Sequence, residues 1–449
     1  MRIYQRLRGM ARASIHTLVV VAFILRTLCV VAQAPSGPPP EPSGEGMDDM
    51  HSNAGAEDPG AFLMRMASGT AMNPASSSFP MVMSQYGHWN WMFMAQGFVV
   101  DTQQTGPRGT DKFYSVNWGM ISTERRIGVG EFMLQSMLSL EPATVTNRSY
   151  PELFQTGETA YGVPLVDAQH PHNLIMALGA QYARPLGEAG MFQFYYAPVG
   201  DPALGPVAFP HRASAVDLPQ ATLGHHWEDS THIAANVGTI ALMERCFRIE
   251  ASGFYGTEPG ENRWTLMWGP MNSWSGRVSF APSPNWMIQT SSGRLTHPER
   301  QQTGDVVRVT SSVQYSRPLR NGLAWSSALI WGRNHETAAG RNLNAYLAET
   351  LLPLGRMDAL TARFESVAKD DLFVNMPVIE SQLASSVGTV FQVQAYTAGY
   401  TRTLRDFIGV ETALGANLTA YGVPDPIQPH YGQHPLGANV FLRLRLVGR

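Results

Sequence analysis

Cysteine, charge and long apolar runs are all scarce in this chain. Two cysteines in 449 residues, Cys29 and Cys246, exclude a disulfide scaffold. Charged residues make up 15% of the sequence, well under the roughly 25% of an ordinary soluble domain. The net charge of −3 leaves no cationic excess to displace phosphate counterions, so no nucleic-acid partner is expected. The apolar run at 18–25, "LVVVAFIL", is far shorter than the roughly 20 residues of a spanning helix. Arg2, Arg6, Arg8 and Arg12 precede it and the small-residue exit "VVAQA" (30–34) follows, so residues 1–32 read as an export signal. Loss of that leader would leave Cys246 alone, and no intrachain disulfide is then expected.

Glycine and aromatic residues, by contrast, are plentiful: 42 Gly, 19 Phe, 15 Tyr and 10 Trp. With a mean hydropathy of −0.13 the chain is too polar for a bundle of membrane helices. Moderate polarity, few charges and many aromatics fit an outer-membrane barrel better than a soluble enzyme. Residues 33–60 are rich in proline, glycine and acid and nearly free of branched apolar side chains, so they read as a flexible linker. Residues 61–87 form a methionine-rich segment, expected in the periplasm or as a plug in the lumen. Its Met64, Met66, Met72, Met81 and Met83, with Met47 and Met50 upstream and Met92 and Met94 beyond, serve either as adaptable apolar filler or as soft thioether ligands for copper.

From residue 88 to 449 the pattern has a period of two. In "FMLQSMLSL" (132–140), Phe132, Leu134, Leu138 and Leu140 share one face while Met133, Gln135 and Met137 share the other. In "ANVFLRLRL" (438–446), Val440, Leu442 and Leu444 alternate with Arg443 and Arg445. Segments of about ten residues, apolar on one side and polar on the other, are the mark of a membrane barrel wall. The expected fold is therefore all-β: a transmembrane antiparallel up-and-down β-barrel of about 16 strands, to within two. Short connections such as "RRIG", "PLGEAG" and "TLRD" alternate with longer ones, which predicts periplasmic turns and extracellular loops. An arginine facing lipid at mid-membrane would cost roughly 2–4 kcal/mol. Arg277, Arg308, Arg363, Glu365 and Arg443 lie on the parity opposite the apolar face and are expected to line the pore. Trp89, Trp91, Tyr182, Tyr196, Trp331 and Tyr421 fall near strand ends and suit interfacial girdles.

Two long loops carry the unusual chemistry. The first, 142–171, leads His170 and His172 into a strand expected over 172–184. The second, 199–230, ends in "GHHWEDSTHI" (224–233) and delivers His225, His226 and His232 with Glu228 and Asp229 to a strand expected over 231–242. By strand parity with Asn236, His232 is expected to point inward. Three chemistries fit these residues. As a metal site, His170, His172, His225, His226, His232, Glu228 and Asp229 would supply three or four ligands to Cu or Zn. As a structural network, they would pin stiff Pro- and Gly-rich loops against the inner wall. As a hydrolase, His232 or His335 would act as general base beside a serine, although no GxSxG-like element is present.

The phrases "LFQTGETAYGVPLVDAQHPHN", "GDPALGPVAFPHRAS" and "HHWEDSTHI" resemble those of porin-like outer-membrane β-barrel proteins from environmental Gram-negative bacteria, to which no activity is assigned. The resemblance runs from about residue 60 to the end of the chain. A more distant similarity, carried by "MDDMH" (47–51) and the methionines after it, is to the copper-resistance outer-membrane B proteins, and implies a copper-binding N-terminal segment.

These readings converge on a bacterial outer-membrane porin or channel for passive passage of small solutes, narrowed by loops 142–171 and 199–230. A metal-binding barrel for Cu or Zn is the alternative, and an outer-membrane lipid hydrolase the remote third. No catalytic residues and no organic cofactor are expected. The partners would be outer-membrane lipid, small solutes or metal ions, and the sequence is silent on oligomeric state.

Overall fold

The computed structural model of the chain describes residues 58–77, 79–299, 303–319 and 323–447. The expected export signal, "MDDMH" and nearly all of the 33–60 linker lie outside the described residues. Cys246, at the turn between two barrel strands, is disulfide-bonded; the chain's other cysteine, Cys29, lies outside the described residues, and with it the expectation drawn from loss of the leader.

Sixteen antiparallel strands close a barrel. They are β1 (Trp89–Gln104), β2 (Lys112–Ile127), β3 (Gly130–Leu138), β4 (Ile175–Leu186), β5 (Gly190–Gly200), β6 (Ala234–Glu244), β7 (Phe247–Tyr255) and β8 (Ser273–Phe280), then β9 (Trp286–Leu295), β10 (Val306–Pro318), β11 (Ala324–Glu336), β12 (Arg341–Leu354), β13 (Asp358–Lys369), β14 (Phe391–Phe407), β15 (Val410–Gly422) and β16 (Leu436–Leu446). Each strand pairs with its neighbours in sequence. Closure runs from β16 to β1, with Gly437 opposite Gln104 and Arg445 opposite Gln96. Below Gln96 the edge of β1 is covered instead by a short strand, Val82–Tyr86, so neither half of β1 is left unpaired.

The barrel is turned inside out relative to a soluble protein. Leu134, Ile240, Ile249, Leu329, Leu418 and Val440 stand on the outer face, Ile249 and Leu329 at 60% exposure. Their strand neighbours face inward and are buried, among them Gln135, Thr239, Arg248, Glu250, Asn417, Thr419 and Asn439 with Met133, Ala241, Ala328, Ile330 and Phe441. That outer band has no aqueous explanation and suits the hydrocarbon of a bilayer, where a closed barrel leaves no unpaired backbone. The chain is thus an outer-membrane β-barrel. Every second connection is a tight turn (128–129, 187–189, 245–246, 355–357 and 408–409 among them), and the long connections gather at the other end.

Two segments occupy the interior. Residues 59–73 enter from the tight-turn end: Phe62, Leu63, Met66 and Met72 pack with Met133, Met191 and Met287 of the wall. The Thr70 carbonyl accepts from Arg248 at 2.9 Å and from Arg277 at 2.7 Å. Above it lies the connection between β5 and β6. From Asp201 to Ala235 every residue is buried except Pro210 and Val216. The two segments meet where Asn73 Nδ2 donates to the His211 carbonyl and Thr70 Oγ1 to that of Asp201. Methionine dominates this half of the interior, with Met92, Met120, Met137 and Met176 forming a second cluster, which is the behaviour of an unbranched, polarizable filler.

Several sequence expectations need correction. The strand expected from 172 begins at Ile175, because Leu174 N donates out of the sheet to the Arg263 carbonyl. The strand expected from 231 begins at Ala234; "HHWE" is a one-turn helix and "STHI" a 3₁₀ turn, both buried. His232 does lie inside, but by that turn and not by strand parity. Asn236, the parity reference, has a positive φ of 49° at an irregularity in the β6–β7 register and is only partly buried. Tyr421 belongs to no girdle: it is buried and packs on Phe154.

Candidate functional site

The loop between β5 and β6 is rich in proline and glycine, and its own backbone forms little regular structure. Its burial therefore depends on the wall for hydrogen bonds and charge partners. Arg212 donates from Nε to Glu349 on β12 at 2.6 Å and from Nη1 to Asp229 at 3.0 Å. Arg363 on β13 donates to the other Glu349 oxygen at 3.0 Å and to the carbonyls of Gln220 and Ala221. Glu365 accepts the Leu223 amide at 2.6 Å. Arg308 donates to Ser230 Oγ and to the His226 carbonyl, and Arg443 pairs with Asp217. Arg277 makes a two-pronged contact with Glu250 at 2.8 and 2.9 Å and also reaches the Gly205 carbonyl. All five residues expected to line the pore thus point inward, and each is engaged by the loop.

The five histidines do come together, as a chain of rings in contact. Ring centroids are 5.3 Å apart for His225 and His226, 5.4 Å for His225 and His232, 5.6 Å for His172 and His232, and 5.8 Å for His170 and His226. Most of the Nδ1 atoms are already committed. His225 Nδ1 lies 2.5 Å from Asp229 Oδ1, His172 Nδ1 2.9 Å from Glu141 Oε1, His232 Nδ1 2.9 Å from the Asp229 carbonyl, and His170 Nδ1 3.2 Å from that of Pro171. Asp229 is fully used, taking His225 on one oxygen and Arg212 with the Phe209 amide on the other. Glu228 faces the wall near Gly224, Gly332 and Ala345, away from the rings. Burial, with Asp229 beside it, holds its carboxyl well above the ordinary range. His232 and His335, the two histidines considered for a general base, are held respectively by the Asp229 carbonyl and by Asn342 Oδ1.

His226 differs from the other four. Its two ring nitrogens have no hydrogen-bond partner among the described residues, though the side chain is buried. Nδ1 lies 3.4 Å from Glu258 Oε1 and 3.5 Å from Glu299 Oε1. Burial lowers the pKa of His170, His225 and His232; at His226 burial acts in the same direction, but Glu258 and Glu299 overcome it and the pKa is raised. Glu258 and Glu299 come from the β7–β8 and β9–β10 connections, and the sequence alone marks neither. The one local signal is that each adjoins a proline, in "TEPGE" and "THPER". In the fold those segments are tied together, the Glu258 amide donating to the Pro298 carbonyl at 2.8 Å.

No protein-family profile matches the sequence, and no curated protein resembles it. Solved structures resemble it in fold. OprB of Pseudomonas putida, in its high-pH structure, is 9% identical over 80% of this chain and 94% of that one, with a TM-score of 0.50. Salmonella typhi OmpF in complex with daunomycin is 8% identical over 81% and 100%, with a TM-score of 0.49. An anion-selective porin from Comamonas acidovorans is 12% identical over 79% and 100%, with a TM-score of 0.48.

Proposed function

We propose that this outer-membrane barrel is a porin-type channel for small solutes whose passage is narrowed by its own interior segments. The supporting observation is the burial of 201–235 across the barrel, clamped by Arg212, Arg363, Arg277, Arg308 and Arg443. The 142–171 connection adds to the obstruction: its hairpin Tyr150–Ala160 with Val163–Gln169 sends Leu153 and Phe154 onto Leu223 and Trp227, and Gln155 Nε2 donates to the Thr222 carbonyl at 2.9 Å. Loops that fold inward set the bore of such barrels. Here the constriction is made of paired charges, so it carries little net field and selects by size more than by sign.

Liposome swelling in graded neutral solutes tests this reading. Slow entry of the smallest sugars and exclusion of disaccharides is expected. Rapid entry of disaccharides through the wild-type protein would rule out the narrowing, and no entry of any solute would rule out the channel.

The alternative of a metal-binding barrel draws its support from one histidine only. Among the described residues the grouping of His226, Glu258 and Glu299 is the one that brings three ligand atoms within 4.8 Å of one another, so the metal reading rests on His226 and its two carboxylates.

A further inference from the structure

We propose that His226, Glu258 and Glu299 form a binding site for a single divalent transition-metal cation of the zinc type at the long-loop end of the barrel. The first argument is distance. A protonated imidazole bonded to a carboxylate brings nitrogen and oxygen to about 2.7–2.9 Å. The observed 3.4 and 3.5 Å are too long for that. They match the edge of a coordination tetrahedron, since ligands about 2.0–2.1 Å from a central zinc stand roughly 3.3–3.4 Å from one another. One ligand atom from each of the three residues falls within 4.8 Å of the other two.

The second argument is satisfaction. His226 is buried with both ring nitrogens unpartnered, and Glu258 Oε2 is unpartnered as well. Buried polar atoms without hydrogen bonds are costly, and a cation held by Nδ1 and the two carboxylates reduces that cost. The third is preorganisation. The His226 backbone is fixed by Arg308 and by Asn334, whose Nδ2 donates to its carbonyl at 3.0 Å. The ring lies over Gly157, where a Cβ would come within 2.5 Å of Nε2; Gly157 has a φ of 120° besides. A cavity of about 100 Å³ opens beside the site, lined by Gly157, Glu158, Glu258, Glu299 and Asp371 among others. It leaves room for water or for the Asp371 carboxylate as a fourth ligand. One imidazole with carboxylates favours zinc and its neighbours over calcium or magnesium, which prefer oxygen alone.

Equilibrium dialysis of the purified full-length protein in detergent against zinc chloride tests the proposal. One zinc per chain is expected, with affinity reduced at least roughly tenfold in His226→Gln and in Glu258→Gln. His232→Gln, in the adjoining ring chain, should bind as the wild type does. X-ray absorption of the zinc-loaded wild type should show one imidazole and otherwise oxygen ligands near 2.0 Å. Absence of bound zinc, wild-type affinity in His226→Gln, or a spectrum with two or more imidazoles would each overturn the assignment. The last result would move the metal to the histidine chain. The X-ray absorption arm needs no variant to fold, and none of these readings depends on whether the barrel conducts.

Discussion

Arg212 Nε stands 2.6 Å from Glu349 Oε1, joining the middle of a 33-residue connection to the inner wall of β12, with both side chains closed to solvent. Glu349 takes Arg363 on its other oxygen, so one carboxylate holds two guanidiniums. Removing one partner of a buried pair leaves the other charged and unpaired, at a cost of about 3–5 kcal/mol. Arg212→Ala is therefore expected to release the loop, with new protease cleavage between residues 206 and 222. Arg294→Ala, which breaks an exposed pair with Asp305, should leave the cleavage pattern unchanged. Equal protection in both variants would mean that the loop is held by packing alone.

The apolar outer band makes a second prediction. Leu329 lies at the middle of β11 on the outer face, and Leu329→Arg should destabilise the barrel in lipid by about 2–4 kcal/mol. Urea titration in bilayers measures it. A change of less than about 1 kcal/mol would mean that this face is not buried in hydrocarbon.

At the tight-turn end, Phe62 packs among methionines and beneath the Arg248 guanidinium, 5.3 Å from ring centre to carbon. Truncation to Phe62→Ala should cost about 3–5 kcal/mol. The cost falls on docking of residues 59–73 and not on the 16-strand ladder, so proteolysis should trim the N-terminal segment while the sheet signal in circular dichroism persists. Loss of the sheet signal together with the segment would show that the plug and the wall fold as one unit.

Gly157→Ala addresses the cation site without touching a ligand. The added methyl meets the His226 ring at a backbone angle that L residues avoid, so the ring must leave its present position beside Glu258 and Glu299. Zinc affinity is expected to fall about tenfold or more, as it does when a group that orients a ligand is lost. Unchanged affinity would show that the ring position is not what assembles the site.

The wall was legible in the sequence because lipid outside and polar groups inside impose a strict period of two, visible in Leu134 against Gln135 or Leu444 against Arg443. The same parity oriented Arg277, Arg308, Arg363, Glu365 and Arg443 inward. It does not apply where the chain leaves the ladder: at His232, which a 3₁₀ turn carries inside, and at Asn236, in an irregular register. The depth of the 201–233 connection was not legible, because proline, glycine and alanine have the same composition in a solvent-exposed loop as in a buried one. Burial here is decided by Glu349, Glu365 and Arg363 on strands more than a hundred residues away. Glu258 and Glu299 were invisible for the same reason. Each is one acid on its own loop, and only barrel closure brings both to His226. The crowding in "GHHWEDSTHI" drew notice to the right loop but to more histidines than the cation proposal uses.

The most direct test of the account is to remove the obstruction and record current. Gly205 lies against the Glu228 carbonyl, where a Cβ would come within 2.4 Å, so the ends of the segment between them already adjoin. Replacing residues 206–227 by a two-residue Gly-Ser link should preserve β5, β6 and the wall while removing the larger of the interior segments, with residues 59–73 and the 150–169 hairpin left in place. In planar bilayers the wild type is expected to show small, infrequent steps and the excised variant a conductance about tenfold or more higher, as a partly reopened 16-strand bore would give. Equal conductance in the two proteins, with the excised variant folded and inserted, would contradict the claim that this loop sets the passage.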